Sequence, residues 1–396
     1  MWPWILVAML WVVGMLNYLD RQVIFSLFPP IQKEFTASNT QLGLLSTSFL
    51  WVYGFASPLG GWAADRFSRR WVILAGLAAW SAITWATGLA GSFGELLAAR
   101  ALMGVSEACY LPAALAMIAA AHSEKTRSLA TGLHQSGLYA GIIVGGWGGG
   151  WMGEHYGWRS AFTVLGLAGV AYAAVLVFLL RDRNAPSRDS APTPPLWPAL
   201  AQLFSLGGFR TLFSYVSLCA LAFWVIYTWL PTYFHEKFGM SLGGAGFSAT
   251  FYVQAASFAG ILAGGWWSDR WMRSNARARA LTPGVAFVVA APFLFLSGAT
   301  DAKALVIAGL VVFGIARGCY DANLMPLVCQ VVPAELRATA YGVLNMGGCV
   351  FGGVMALLAG AFKDLIGIGG ALQVSAVGVL LAAILLLRLR HADNLR

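Results

Sequence analysis

The chain has 396 residues, of which 59% are hydrophobic and only 10% charged, with a formal net charge of +9. Soluble domains carry about 25% charged residues, and a water-soluble fold of this length cannot hide so much apolar surface. A soluble globular protein is excluded; the composition is that of an all-α polytopic membrane protein.

Apolar stretches of bilayer-crossing length recur twelve times, at about 3–28, 39–63, 71–91, 95–121, 127–151, 160–180, 210–234, 242–266, 281–298, 303–330, 338–361 and 369–388. The first begins at Trp2 without a basic region or a small-residue cleavage site, so it reads as a spanning helix rather than a signal peptide. A polar run opens at Arg181-Asp182-Arg183-Asn184-Ala185-Pro186-Ser187 and continues Pro/Ser-rich, as a linker should. It divides the chain into a six-helix bundle at 1–180, a linker at 181–209 and a second six-helix bundle at 210–396.

Most of the 25 lysines and arginines fall in alternate loops, among them Arg66, Arg69, Arg70, Arg127, Arg270, Arg273, Arg277, Arg279 and Arg337, and in the C-terminal tail. The intervening loops hold only Lys33, Arg159, Lys237, Lys303 and Lys363. By the positive-inside rule, both termini and the Arg66 and Arg270 loops are expected in the cytoplasm. The positive charge is an orientation signal, and no nucleic-acid partner is expected. The five cysteines lie in apolar segments without metal-ligand spacing, so neither a metal nor another cofactor is implied. The chain also has no P-loop and no nucleophile with a placed base, which argues against an enzyme or a built-in ATPase.

Two internal repeats point to duplication. Gly60-Gly61-Trp62-Ala63-Ala64-Asp65-Arg66 returns 204 positions later as Gly264-Gly265-Trp266-Trp267-Ser268-Asp269-Arg270. At an offset of 210, Glu107-Ala108-Cys109-Tyr110 aligns with Arg317-Gly318-Cys319-Tyr320, and Arg127, Gly132, Gln135 and Gly137 align with Arg337, Gly342, Asn345 and Gly347. Glycines 137, 141, 145 and 146 on the fifth span permit close helix approach, either as static packing or as a sliding seam between the halves.

A charge near the bilayer centre costs at least about 2.5–3.5 kcal/mol, so those at depth require a reason. They are Asp20, Arg21, Arg100, Glu107, His134, Arg317 and Asp321. Neighbours Asp20 and Arg21 point about 100° apart. Arg100 and Glu107 lie two turns apart on one helix face, although Arg100 is near the outer end of its span, where it can snorkel. Arg317 and Asp321, at i,i+4, can pair with each other. A carboxyl group in a low-dielectric setting can exchange a proton near neutral pH, which makes Asp20 and Glu107 the coupling candidates. Tyr18, Tyr53 and the group Trp224, Tyr227 and Trp229 on the seventh span offer a ring face and a polar edge to a sugar-like substrate, and His134, Gln135 and Asn345 add hydrogen-bonding capacity.

Gly61-x3-Asp65-Arg66-x2-Arg69-Arg70, its Asp269-Arg270 copy, the twelve spans and the 6+6 division together resemble the major facilitator superfamily. Within it, Asn17-Tyr18-Leu19-Asp20-Arg21 with Arg100 and Glu107 resembles the anion:cation symporter branch, which includes proton-coupled carriers of sugar acids. The resemblance implies the major facilitator fold, protonation at Asp20 and Glu107, and substrate contact at Arg21, Tyr18 and Tyr53. Two positions depart from the branch. A substrate-facing glutamine falls on Leu138, one turn after Gln135, and Arg317-Gly318-Cys319-Tyr320-Asp321 stands where a neutral group is expected. The same helix-1 and helix-4 pattern is similar to the Spinster-like branch, linked to lysolipids.

The expectation is a proton-coupled symporter of a small organic anion, working as a single chain in a bacterial inner membrane. Arg21 and Arg317 grip the anion from the two halves, while Arg100, His134, Gln135, Tyr320, Asp321 and Asn345 complete the binding set. Asp65, Arg66, Arg70, Asp269 and Arg270 form cytoplasmic latches. The alternatives are a Spinster-like lipid transporter, a drug/proton antiporter, which the buried arginines disfavour, and a sensor without flux.

Overall fold

The computed structural model describes residues 2–182 and 196–389, apart from the side chains of residues 61–66, 124, 125, 128, 196 and 334. The described residues form helices joined by short loops: α1 (Trp2–Ser26), α2 (Phe28–Phe35), α3 (Asn39–Arg66), α4 (Arg69–Thr87), α5 (Phe93–Glu107), α6 (Tyr110–Ala121), α7 (Glu124–Tyr156), α8 (Trp158–Leu179), α9 (Leu196–Ser205), α10 (Gly207–Phe238), α11 (Leu242–Trp271), α12 (Ala278–Ala299), α13 (Lys303–Val331), α14 (Arg337–Ala361) and α15 (Lys363–Arg388). Ten segments are long and apolar enough to cross a membrane, with α5 and α6 counting together as Phe93–Ala121. The remaining two spans are α4, which opens on two arginines, and α7, which opens on charged residues and is diluted by glycine. The chain is an all-α, multi-pass membrane protein.

The compact units are Met1–Ser190 with Leu230–Thr250, and Ala191–Trp229 with Phe251–Arg396. In the first, α1 and α7 run side by side in fixed register. Side chains built on Gly137, Gly141 and Gly145 would collide with the carbonyls of Trp11, Met15 and Leu19, and one on Gly149 would collide with Val23. Each step advances four residues on both helices, the spacing that brings backbones together. Gly146 faces elsewhere, against Gly246 and Thr250. All four glycines singled out in α7 therefore serve packing inside the unit. Gly141→Ala should cost about 1–3 kcal/mol through overpacking and lower the melting temperature of purified protein, whereas Gly132→Ala, with nothing within 4 Å, should not.

The two sequence repeats meet in space. Cβ atoms built on Gly60 and Gly264 would lie 3.0 and 2.9 Å from the Cα atoms of Cys109 and Cys319. Likewise, Gly104 would meet the Phe49 carbonyl at 2.8 Å and Gly314 the Val253 carbonyl at 2.7 Å. The α3 crossing of α5–α6 and the α11 crossing of α13 are thus one arrangement made twice.

One difference separates the copies. The fourth span, expected to be continuous, breaks into α5 and α6 at Ala108-Cys109. Pro112 lacks the N–H that would bond the Ala108 carbonyl, and its ring crowds that carbonyl. At the equivalent place in the other copy stands Ala322, and α13 runs on unbroken.

The short helix α2, led by Pro29 and Pro30 and closed by Thr36 at φ 48°, was not expected. It carries Glu34, which accepts hydrogen bonds from Trp158 Nε1 (2.6 Å) and Arg159 Nη1 (2.7 Å) just past the Gly157 turn; Arg159 Nη2 also donates to the Ala90 carbonyl at 2.7 Å. The Trp158 bond first, then that of Arg159, holds the Glu34 carboxyl below its usual value. A depressed carboxyl stabilises the fold above its unfolded value, and that contribution disappears as pH falls through the folded one. Glu34→Gln should therefore flatten the loss of melting temperature below about pH 4.5. With both partners about 40% exposed, the effect should stay within about 1 kcal/mol.

Candidate functional site

In the first unit, α1 brings Asn17, Tyr18, Asp20 and Arg21 against α3 and α5. The Arg21 guanidinium donates to Glu107 Oε2 twice, from Nη2 at 2.7 Å and Nε at 3.2 Å, and from Nη2 to Asn17 Oδ1 at 3.4 Å. Three rings surround it, with centroids at 4.5 Å (Tyr18), 4.7 Å (Phe49) and 4.7 Å (Tyr53). Cation–π contacts strengthen when desolvated, and Arg21 is 7% exposed. Because α5 ends at Glu107, this carboxylate sits at the break that Pro112 imposes rather than within a continuous helix.

Arg100 does not snorkel. It is 1% exposed, donates from Nε to the Leu45 carbonyl at 3.3 Å, and lies over the Phe49 ring at 4.7 Å. Its Nη2 finds no hydrogen-bond acceptor. Asp20 is equally buried, at 1%, and neither carboxylate oxygen accepts a hydrogen bond. Thr84 of α4 stands beside it outside hydrogen-bond geometry. The first unit thus buries one short ion pair, Arg21–Glu107, together with a carboxylate and a guanidinium that lack such pairing.

His134 sits wholly inside this unit, its Nε2 2.8 Å from the Tyr110 hydroxyl, which also lies 2.8 Å from the Leu10 carbonyl. If the hydroxyl donates to Leu10, it accepts from Nε2–H, which leaves Nδ1 as the buried atom without a partner. Gln135, one residue on, is half-buried, and Leu138 packs against Gly14 of α1.

In the second unit, Arg317 lies over the rings of Phe223 (4.9 Å) and Tyr227 (4.8 Å) of α10. Its contact with Asp321 is long, at 3.7 Å from Nε, and Nε and Nη1 make no hydrogen bond. Gln254 Nε2 donates to the Tyr227 hydroxyl at 3.1 Å. Tyr320 packs into the aromatic group of Tyr215, Phe223 and Phe287, while Asn345 is half-buried on α14.

Of the latch residues, the Asp65 and Arg66 side chains lie outside the described residues. Arg70 donates to the Val177 carbonyl near the end of α8. In the other copy Arg277, rather than Arg270, donates to the Leu387 carbonyl near the end of α15. Asp269 pairs with Arg279 at 3.3 Å, and Arg270 is exposed in the last turn of α11.

Several participants were missed by sequence reasoning. Phe49 faces both Arg21 and Arg100, and its place one turn before Tyr53 was the available signal. Tyr110, Phe223 and Gln254 also take part; Gln254 is a polar residue in mid-span.

The sequence model of the Major Facilitator Superfamily matches residues 10–356. The chain is 26% identical to the probable galactarate/D-glucarate transporter GudP of Bacillus subtilis (strain 168), over 87% of this chain and 82% of that protein. It is 25% identical to the D-galactonate transporter of Escherichia coli O6:H1, over 94% and 92%. A solved bacterial homolog of the human lysosomal transporter Spinster superposes with a TM-score of 0.82, at 20% identity and covering 98% of both chains. At that identity the likeness concerns the fold alone.

Proposed function

Because the chain belongs to the Major Facilitator Superfamily, we propose that it is a secondary active transporter that imports a small organic anion, a sugar acid or other carboxylate, with protons by alternating access. The observation that carries this reading is the aromatic-caged Arg21 clamped by Glu107 while Asp20 stands buried without a hydrogen-bond donor. Guanidinium matches carboxylate in a two-bond fork. A proton on Glu107 would remove its charge and free Arg21 for the carboxylate of the substrate; losing the proton inside would restore the pair and expel the anion. Asp20 would carry a coupled proton. Arg21, Tyr18, Tyr53 and Arg100 would serve the anion in the first unit, with Gln135 and His134 supporting, and Arg317, Tyr320, Asp321 and Asn345 in the second.

The similarity to transporters named for galactarate, glucarate and galactonate supports a sugar acid. We place the protein in a bacterial inner membrane as a monomer of two six-helix bundles (1–180 and 210–396) joined by a linker, with both termini cytoplasmic. The Asp65/Arg66/Arg70 and Asp269/Arg270 loops would act as its latches.

The test is uptake of radiolabelled galactonate and galactarate into proteoliposomes under an imposed pH gradient. Accumulation that follows the gradient and collapses with a protonophore supports the reading. Uptake of labelled lysolipid and of neither sugar acid would turn the assignment to the Spinster-like alternative.

A further inference from the structure

At one end of the first unit, a cavity of about 210 Å³ lies between the start of α1 (Trp2, Pro3), the last two turns of α6 (Met117, Ala121) and the residues just past α8, Arg181 and Asp182. Both α1 and α8 are long and apolar enough to cross a membrane, so their ends put this cavity at the level of the lipid headgroups. Sites for drug-sized molecules run to about 300–1,000 Å³; this one has room for a small charged group. Its walls are tied together. His122 Nε2 donates to the Pro3 carbonyl at 3.2 Å, and the Trp4 ring meets the His122 ring edge-on at 4.7 Å, which fixes the start of α1 to the end of α6. From the first turn of α4, Arg69 donates to the Ala116 carbonyl of α6 and Arg70 to the Val177 carbonyl of α8. The cavity is therefore built into the bundle.

Its lining carries both signs of charge. Asp182 is half-buried, and its Oδ2 is wholly buried and accepts no hydrogen bond, an arrangement that favours a ligand able to donate one. Trp2 adds an indole, the ring that attracts an ammonium most strongly. Arg181 is exposed at the same cavity and suits a phosphate. A carboxylate beside an aromatic ring selects a cation, and the neighbouring guanidinium selects an anion. Exposed apolar side chains flank the cavity, Trp4 and Ile5 on α1 and Phe178 and Leu179 on α8, and give acyl chains a surface to lie on.

We propose that this cavity holds the headgroup of a zwitterionic membrane lipid with a primary ammonium, the ammonium against Asp182 and Trp2 and the phosphate on Arg181. An anionic lipid would set its charge against Asp182, and a choline lipid has no N–H to offer Oδ2. The lipid is a resident of the bundle's surface rather than cargo, and the site is independent of the anion reading above.

The experiment is lipid binding to purified, full-length protein in detergent, read as adducts by native mass spectrometry. The probes are phosphatidylethanolamine, its N,N-dimethyl form, phosphatidylcholine and phosphatidylglycerol, all with the same acyl chains. Phosphatidylethanolamine should bind at least about tenfold more tightly than phosphatidylcholine, as expected for one hydrogen bond to a charged group. The dimethyl form, with one N–H left, should side with phosphatidylethanolamine, and phosphatidylglycerol should bind more weakly than either. Asp182→Ala should bring phosphatidylethanolamine down to the level of phosphatidylcholine and leave phosphatidylcholine unchanged, whereas Arg181→Gln should weaken both alike. Wild-type protein that binds phosphatidylcholine as tightly as phosphatidylethanolamine, or a preference that survives Asp182→Ala, overturns the site. Free phosphoethanolamine binding as tightly as the lipid would overturn the lipid as its occupant.

Discussion

Replacing Asp20 with asparagine is expected to preserve exchange of internal for external anion and to abolish accumulation driven by a proton gradient. Asparagine keeps the shape of the side chain but cannot gain or lose the proton. The site tolerates a neutral group well, since neither oxygen of Asp20 accepts a hydrogen bond at 1% exposure. A buried charge without a donor is costly, and taking up a proton removes it. Wild-type protein should concentrate the anion up to about tenfold per coupled proton for each pH unit imposed across the vesicle membrane, whereas the variant should stop at equal concentrations inside and out. Counterflow and net uptake in the same proteoliposomes separate the two activities. Undiminished accumulation by the variant would remove Asp20 from coupling.

Replacing Arg21 should have the second large effect, and a paired variant shows why. Removing one partner of a buried ion pair leaves the other charge uncompensated, at about 3–5 kcal/mol. Arg21→Gln alone should therefore lower the melting temperature and eliminate uptake. Arg21→Gln with Glu107→Gln removes both charges and should recover much of the stability without recovering transport, because no fork is left for the anion. Arg21→Lys retains the charge but loses the planar stack against Tyr18, Phe49 and Tyr53 and the two-bond geometry. Its substrate affinity should fall by about 30-fold or more, the equivalent of roughly 2 kcal/mol or more for a truncated buried charge contact. Transport by the double variant at the wild-type rate would dismiss Arg21 as the anion's partner.

The spans were legible because a bilayer demands long apolar runs, and the twelve expected stretches fall on α1, α3, α4, α5–α6, α7, α8 and α10–α15. The break at Ala108-Cys109 was missed: Pro112, four residues on, was the available signal, but hydropathy alone runs straight through it. The helix α9 inside the linker is too short to register as a span. At the site, the proximity of Arg21 to Glu107 follows from no spacing, since 86 residues separate them. It depends on how α1 and α5 cross, which a sequence pattern does not encode. The depth of Arg100 was ambiguous for a related reason: position along a helix says how far a side chain is from the end, not whether a carbonyl such as that of Leu45 waits for it. His134 was marked for its titratable ring, and only the structure reveals that Tyr110 holds it.

The ladder joining α1 to α7 has a mechanical consequence. Four rungs in register, each a glycine against a backbone carbonyl or Val23, make the two helices a single strut, because slipping would bring residues with side chains to contacts that only glycine fits. Labels fixed on this strut, one near Asp20 and one near His134, should keep a constant separation through every turnover, whatever else in the carrier swings.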